Sequence, residues 1–137
     1  MRNKMALEAS DYYKQGYSCS ESVVKAAVEA GLCDKSLLGV ATSFSGGMSS
    51  GCLCGAVAGA QLVLGANFGK ENTLGNQECA RAKAKEFIDE FKKNHKATCC
   101  KALTAGLEFG SSQRKQNCTC LVEECAEILE ELVKVKV

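Results

Sequence analysis

The chain has 137 residues, 46% of them hydrophobic and 24% charged, a globular balance long enough for one domain spanning residues 1–137 with its own core. Lys and Arg number 17 against 16 Asp and Glu, so a formal net charge of +1 supplies no field that would hold nucleic acid or an anionic membrane surface. Ten cysteines beside a single His, with no Trp and no Pro, are the outlier and direct the search for function to sulfur.

The N-terminus reaches Glu8 and Asp11 before any apolar run long enough for a signal peptide, so export is not expected and a cytoplasmic location is. Met5, Ala9 and Tyr12 recur at helical spacing within residues 3–15, with Gly16 as the C-terminal stop. Ser18 with Glu21 three residues later is a capping box opening a second helix, which runs through Ala30 with Val24, Ala27 and Val28 inward and Gly31 closing it. Asp34 caps a short helix to about Phe44.

No charge falls between Lys35 and Lys70, but Ser45–Gly51 has a loop composition that breaks the stretch, so a buried central helix is expected rather than a membrane span. Ser49 or Ser50 is its expected cap and Gly69 its end. From Asn76 to about His95, the residues Ala80, Ala84, Phe87, Ile88 and Phe91 make one face of a long amphipathic helix, with His95 near its end as a favourable cation. Thr98 caps a short helix through Thr104, and residues 106–116 read as a polar loop. Leu121, Val122, Cys125, Ile128, Leu129, Leu132 and Val133 mark the inner face of a last helix capped by Asn117 or Thr119. No run alternates as a half-buried strand does, so the fold class is all-α, a single-domain bundle of five to seven helices.

Laid over these elements, cysteines cluster at four helix starts: Cys19, Cys52 with Cys54, Cys99 with Cys100, and Cys118. Backbone N–H groups and the helix dipole there favour thiolate. The dipole contributes only about 0.3 to 1 kcal/mol. Two thiolates about 4 Å apart repel by about 4 kcal/mol at an effective dielectric of about 20. If the four starts converge, the thiols must therefore stay protonated, form disulfides or bind a cation. A soft metal centre resolves the conflict, and four thiolates suit tetrahedral zinc or an iron-sulfur cluster equally. Cys-x-x-Cys is absent, which removes the thioredoxin-type dithiol and c-type haem attachment.

Cys54-Gly55-Ala56-Val57-Ala58-Gly59 matches a Cys-Gly-Ala-x-x-Gly signature. Together with Tyr17–Val23, Phe44–Met48 and Ala126–Leu129, in order, it resembles the prokaryotic C_GCAxxG_C_C family of redox-active proteins over nearly the whole chain. The resemblance implies a small helical redox protein, with iron-sulfur binding as a role and no assigned reaction, substrate or partner protein. It carries the four family cysteines onto Cys19, Cys54, Cys100 and Cys118 as metal ligands, with Cys99 and Cys120 as close competitors. Gly55 and Gly59 are placed beside the centre, either as cofactor-binding positions or as small residues that let helices approach.

Cys125 reads as a buried small hydrophobe, Cys33 and Cys79 as structural or incidental, and Cys52, Cys99 and Cys120 as packing residues or auxiliary ligands. Three functions follow: electron transfer through an iron-sulfur cluster, binding or storage of zinc or copper through the pairs Cys52/Cys54 and Cys118/Cys120, or metal-free thiol–disulfide exchange.

Overall fold

The computed structural model describes residues 3–70 and 72–134. Among them the chain forms seven α-helices and no strand. Helix α1 (Lys4–Gln15) is capped by Asn3, whose side chain accepts from the Ala6 N–H at 3.0 Å, and ends at Gly16. Helix α2 (Cys19–Glu29) opens on the expected capping box: Ser18 N–H donates to Glu21 Oε1 at 3.0 Å and Glu21 N–H to Ser18 Oγ at 3.3 Å. Helix α3 (Ser36–Ala41) tightens into a 3-10 turn at Thr42–Phe44.

The uncharged stretch becomes α4 (Gly55–Phe68), almost wholly buried along its first ten residues. It packs against α2, against α5 (Glu78–Lys92) and against α7 (Ser112–Lys134), while α1 covers α2 and α7. Val57, Val63 and Leu64 of α4 meet Val23 and Val24 of α2, Phe87 and Phe91 of α5 and Val122, Cys125 and Leu129 of α7 in one core. Burying a side chain of this size contributes about 1.5 to 3 kcal/mol, and this face holds the bundle together. Among the described residues no helix is long and apolar enough to cross a membrane.

Cys99 rather than Thr98 takes the N-cap position of the short helix Cys100–Leu103, and three further expectations shift for a local reason. Ser49 and Ser50 do not cap α4: Ser49 belongs to a left-handed turn, Ser50 follows it ahead of the helix, and Cys54 takes the N-cap position instead. Helix α7 begins at Ser112, with Ser111 Oγ accepting from the Arg114 N–H at 3.1 Å, so the supposed loop supplies its first turns. Asn117 is then free to donate from Nδ2 to the Leu103 carbonyl at 3.1 Å, and Thr119 Oγ1 bonds the Lys115 carbonyl at 2.7 Å; neither is a cap. His95 lies beyond α5, stacked on Phe91 and 2.9 Å from Glu124 Oε1, so a side chain on α7 holds it rather than the helix dipole.

A sulfur-lined cavity as the candidate functional site

Between α4 and the short helix α6 (Cys100–Leu103) the chain makes a single antiparallel bridge, Leu53 to Cys99. Cys54 N–H donates to the Thr98 carbonyl at 2.7 Å and Cys100 N–H to the Cys52 carbonyl, which fixes the start of α4 against the start of α6. Helix α2 delivers Cys19 as its first residue, and α7 delivers Cys118 from its second turn. Cys118 is therefore not at a helix start, contrary to the sequence reading.

Cys19, Cys54, Cys100 and Cys118 all line one small cavity of about 20 Å³, with Gly55, Ala56, Leu103, Thr104 and Leu121 as the rest of its wall. None of the other six cysteines does. Cys52, Cys79 and Cys120 are exposed, Cys125 is in the core, Cys33 packs against the core edge, and the Cys99 thiol bonds the Gly51 carbonyl at 3.0 Å. Above this floor opens a larger cavity of about 590 Å³, which Cys19, Cys100 and Cys118 also reach.

Two glycines of the signature serve different neighbours. A Cβ on Gly55 would collide with the Cys19 sulfur, so the absent side chain makes room for a thiol. A Cβ on Gly59 would lie 2.7 Å from the Ser20 carbonyl oxygen, so there the absent side chain lets α4 approach the backbone of α2. Ser20 is buried and donates to the Ala41 carbonyl at 2.7 Å, which leaves no slack on that side.

The mouth is shaped by residues 46–49, where Gly46, Gly47, Met48 and Ser49 take φ of 62°, 62°, 61° and 55° in succession. This is a turn of left-handed helix, costing about 1 to 2 kcal/mol for each non-glycine residue in it. It brings the Gly46 N–H to the Cys19 sulfur. A side chain on Gly47 would strike the backbone of Cys52 and the Cβ of Cys100, so the turn is pressed directly onto the bridge.

Burial decides the charge state of the floor. It pushes the Cys54 thiol up to about 12, with the Val57 N–H pulling down and Cys19 adding to the rise. Cys19 is raised for the same reason, against backbone N–H groups of Gly46 and Ser20. Cys118 is raised by burial and by Cys19, while the Tyr13 hydroxyl and Arg114 lower it. Desolvation of a charge exceeds what a helix terminus returns, so of the outcomes open to converging thiols, protonation is the one that Cys19, Cys54 and Cys118 take at pH 7 with nothing bound. Tyr13 and Arg114 had no signal in the sequence: they lie 105 and 4 residues from Cys118, and only the packing of α1 on α7 brings Tyr13 in. The Tyr13 phenol is itself raised by burial and by Cys118.

Among the described residues, no three His, Cys, Asp or Glu side chains stand close enough to hold one metal ion. Cys52 and Cys54 face different surroundings, as do Cys118 and Cys120, the latter opening onto a groove with Lys14 and Thr119. A family model described as "Putative redox-active protein (C_GCAxxG_C_C)" matches residues 17–132. No curated protein and no solved structure matches the chain.

Proposed function

The chain belongs to the C_GCAxxG_C_C family of redox-active proteins, and on that premise we propose that it carries an iron-sulfur cluster on Cys19, Cys54, Cys100 and Cys118 and transfers electrons through it in the cytoplasm. One observation carries the reading: of ten cysteines, these four alone line a common cavity, brought there by four different helices. The donor set fits such a group, since Cys thiolates are the usual ligands of clusters, and the remaining wall is apolar apart from Thr104.

When bound, the cluster would supply one-electron transfer. The chain's own residues do the rest. Each raised thiol gives up its proton on ligation, so loading releases protons and grows tighter as pH rises. The N–H groups of Gly46 and Val57 direct positive dipole at Cys19 and Cys54. Tyr13 does the same for Cys118 through its hydroxyl. Gly55 leaves room for the Cys19 sulfur, and the wall around the four thiols is apolar apart from Thr104.

Anaerobic reconstitution followed by iron and sulfide analysis tests this. Equal iron and sulfide, lost in Cys54→Ser and Cys118→Ser but kept in Cys79→Ser and Cys120→Ser, is the expected result. A colourless, iron-free protein would overturn it. The same convergence favours a second reading, metal-free exchange between dithiol and disulfide at these cysteines, which a thiol count that changes across a redox titration would mark.

A further inference from the structure

The large cavity above the sulfur floor has a chemistry of its own. Its volume of about 590 Å³ is that of a small-molecule site rather than of a protein-docking surface. It adjoins a second cavity of about 290 Å³, and Tyr13, Phe109 and Arg114 line both. Lys101, Arg114 and Lys115 are the charged residues of the two walls, and no Asp or Glu lines either, although the chain as a whole carries 17 cationic and 16 acidic residues. Charge is thus segregated at an opening that leads to the converging sulfur.

Two of these cations pack against their neighbours. The Lys101 stem runs over Gly51, where a Cβ would meet it at 2.9 Å. Arg114 lies over the Phe109 ring at 5.2 Å from its centroid, and Phe109 is 90% exposed on the rim, an apolar surface left facing solvent beside a guanidinium. Ser18 and Ser49 add hydroxyls to the wall, whereas the Ser45 hydroxyl is already donated to the Thr42 carbonyl at 2.9 Å. Guanidinium, ammonium, hydroxyls and an aromatic plate around one opening are the features that bind a small organic anion.

We infer that the cavity is the binding site of a low-molecular-weight anionic redox partner, a compound bearing a carboxylate or phosphate group, whose charged end sits on Arg114 and Lys101 and whose reacting end faces Cys19, Cys100 and Cys118. This rests on the reading that the floor holds the redox sulfur and adds to it the class of molecule that meets it there.

Two alkylating reagents of nearly equal size test the inference without depending on any loaded cofactor. Iodoacetate is an anion and iodoacetamide is neutral; in both cases thiolate sulfur displaces iodide, forming a C–S bond after the thiol has released its proton to solvent. The full chain, kept reduced with a chelator present, is treated with each, and modification of every cysteine is followed by peptide mass spectrometry. Exposed Cys79 is the internal reference. The iodoacetate-to-iodoacetamide rate ratio at Cys100 and Cys118 should exceed that at Cys79 at least tenfold, and inorganic phosphate should suppress the excess.

Arg114→Gln and Lys101→Gln should bring the ratio down to the Cys79 value, and Arg114→Lys should keep most of the excess. A change in thiol ionisation alters both rates alike and cancels, so a merely indirect effect of Arg114 on Cys118 does not move the ratio. Circular dichroism establishes that each variant is folded, and the phosphate competition needs no variant. An equal ratio at cavity and reference cysteines overturns the inference, as does a raised ratio that neither phosphate nor the cation substitutions reduce. Iron-free protein that nonetheless shows the charge selectivity would overturn the cluster and leave the anion site standing.

Discussion

Gly55 and Cys19 compete for one volume: any side chain at position 55 would enter the space the Cys19 sulfur occupies. Gly55→Ala must therefore push Cys19 off the cavity or shift α4 away from α2. Iron content after reconstitution should fall severalfold while far-ultraviolet circular dichroism stays helical, and stability should drop by about 1 to 3 kcal/mol from overpacking. Gly65→Ala, in the same helix with nothing within 4 Å of the new Cβ, should do the opposite and stabilise by up to about 1 kcal/mol in urea denaturation.

Cys54→Ser and Cys125→Ser should separate site from scaffold. Serine is a natural N-cap, so Cys54→Ser is expected to fold and to lose its metal, because an alkoxide is a poor soft ligand. Cys125 is buried in the core, so its replacement puts a hydroxyl among apolar neighbours at a cost of about 1 to 3 kcal/mol and leaves metal content unchanged. Urea midpoints and iron analysis on both variants read the two effects independently.

The metal-free, reduced protein should weaken in alkali through Cys54. The folded thiol keeps its proton to about pH 12, whereas in the unfolded chain it gives it up near 9.0, so the stabilisation is complete below pH 9.0 and is lost as pH rises towards 12. The loss from this group is about 1.4 kcal/mol per pH unit within that window. Cys54→Ser has no such group, so the stability of wild type should fall more steeply than that of the variant between pH 9 and 10.5 in urea melts.

Tyr13→Phe removes the hydroxyl that lowers the Cys118 thiol while keeping the ring against the core. Losing that hydrogen bond disfavours the thiolate, so alkylation of Cys118 by neutral iodoacetamide at pH 8 should slow. Its pH profile should move upward. An unchanged profile would show that the Tyr13 hydroxyl has no hold on the Cys118 sulfur.

How far the sequence carried can be judged from particular residues. Ser18 and Glu21 announce α2 because both halves of a capping box are local, and the absence of charge between Lys35 and Lys70 announces the buried helix because burial of unpaired charge is costly. The family signature, not spacing, separated Cys54 from Cys52 and Cys118 from Cys120, and the structure gives that separation a physical form, since the first of each pair faces the cavity and the second does not.

Which of the three outcomes the converging thiols take was not legible, because a local term of about 0.3 to 1 kcal/mol was visible and the tertiary desolvation was not. Displacing Cys54 from 9.0 to about 12 corresponds to about 4 kcal/mol of desolvation and repulsion, which exists only once α2, α4, α6 and α7 have closed around it. Tyr13, Arg114 and the segregated cations were hidden for the same reason.

The left-handed turn at the mouth gives residues 46–49 a rule of substitution unlike that of the rest of the chain. Its backbone is the mirror image of an ordinary helical turn, so stereochemistry, rather than polarity or volume, sorts what Met48 and Ser49 can become: Gly, Asn and Asp are admitted ahead of any β-branched residue. A chemically synthesised chain with D-serine at position 49 would place that residue in its own preferred conformation. The rim of the sulfur cavity is thus a place where a residue of the opposite hand fits the protein better than the one it was made with.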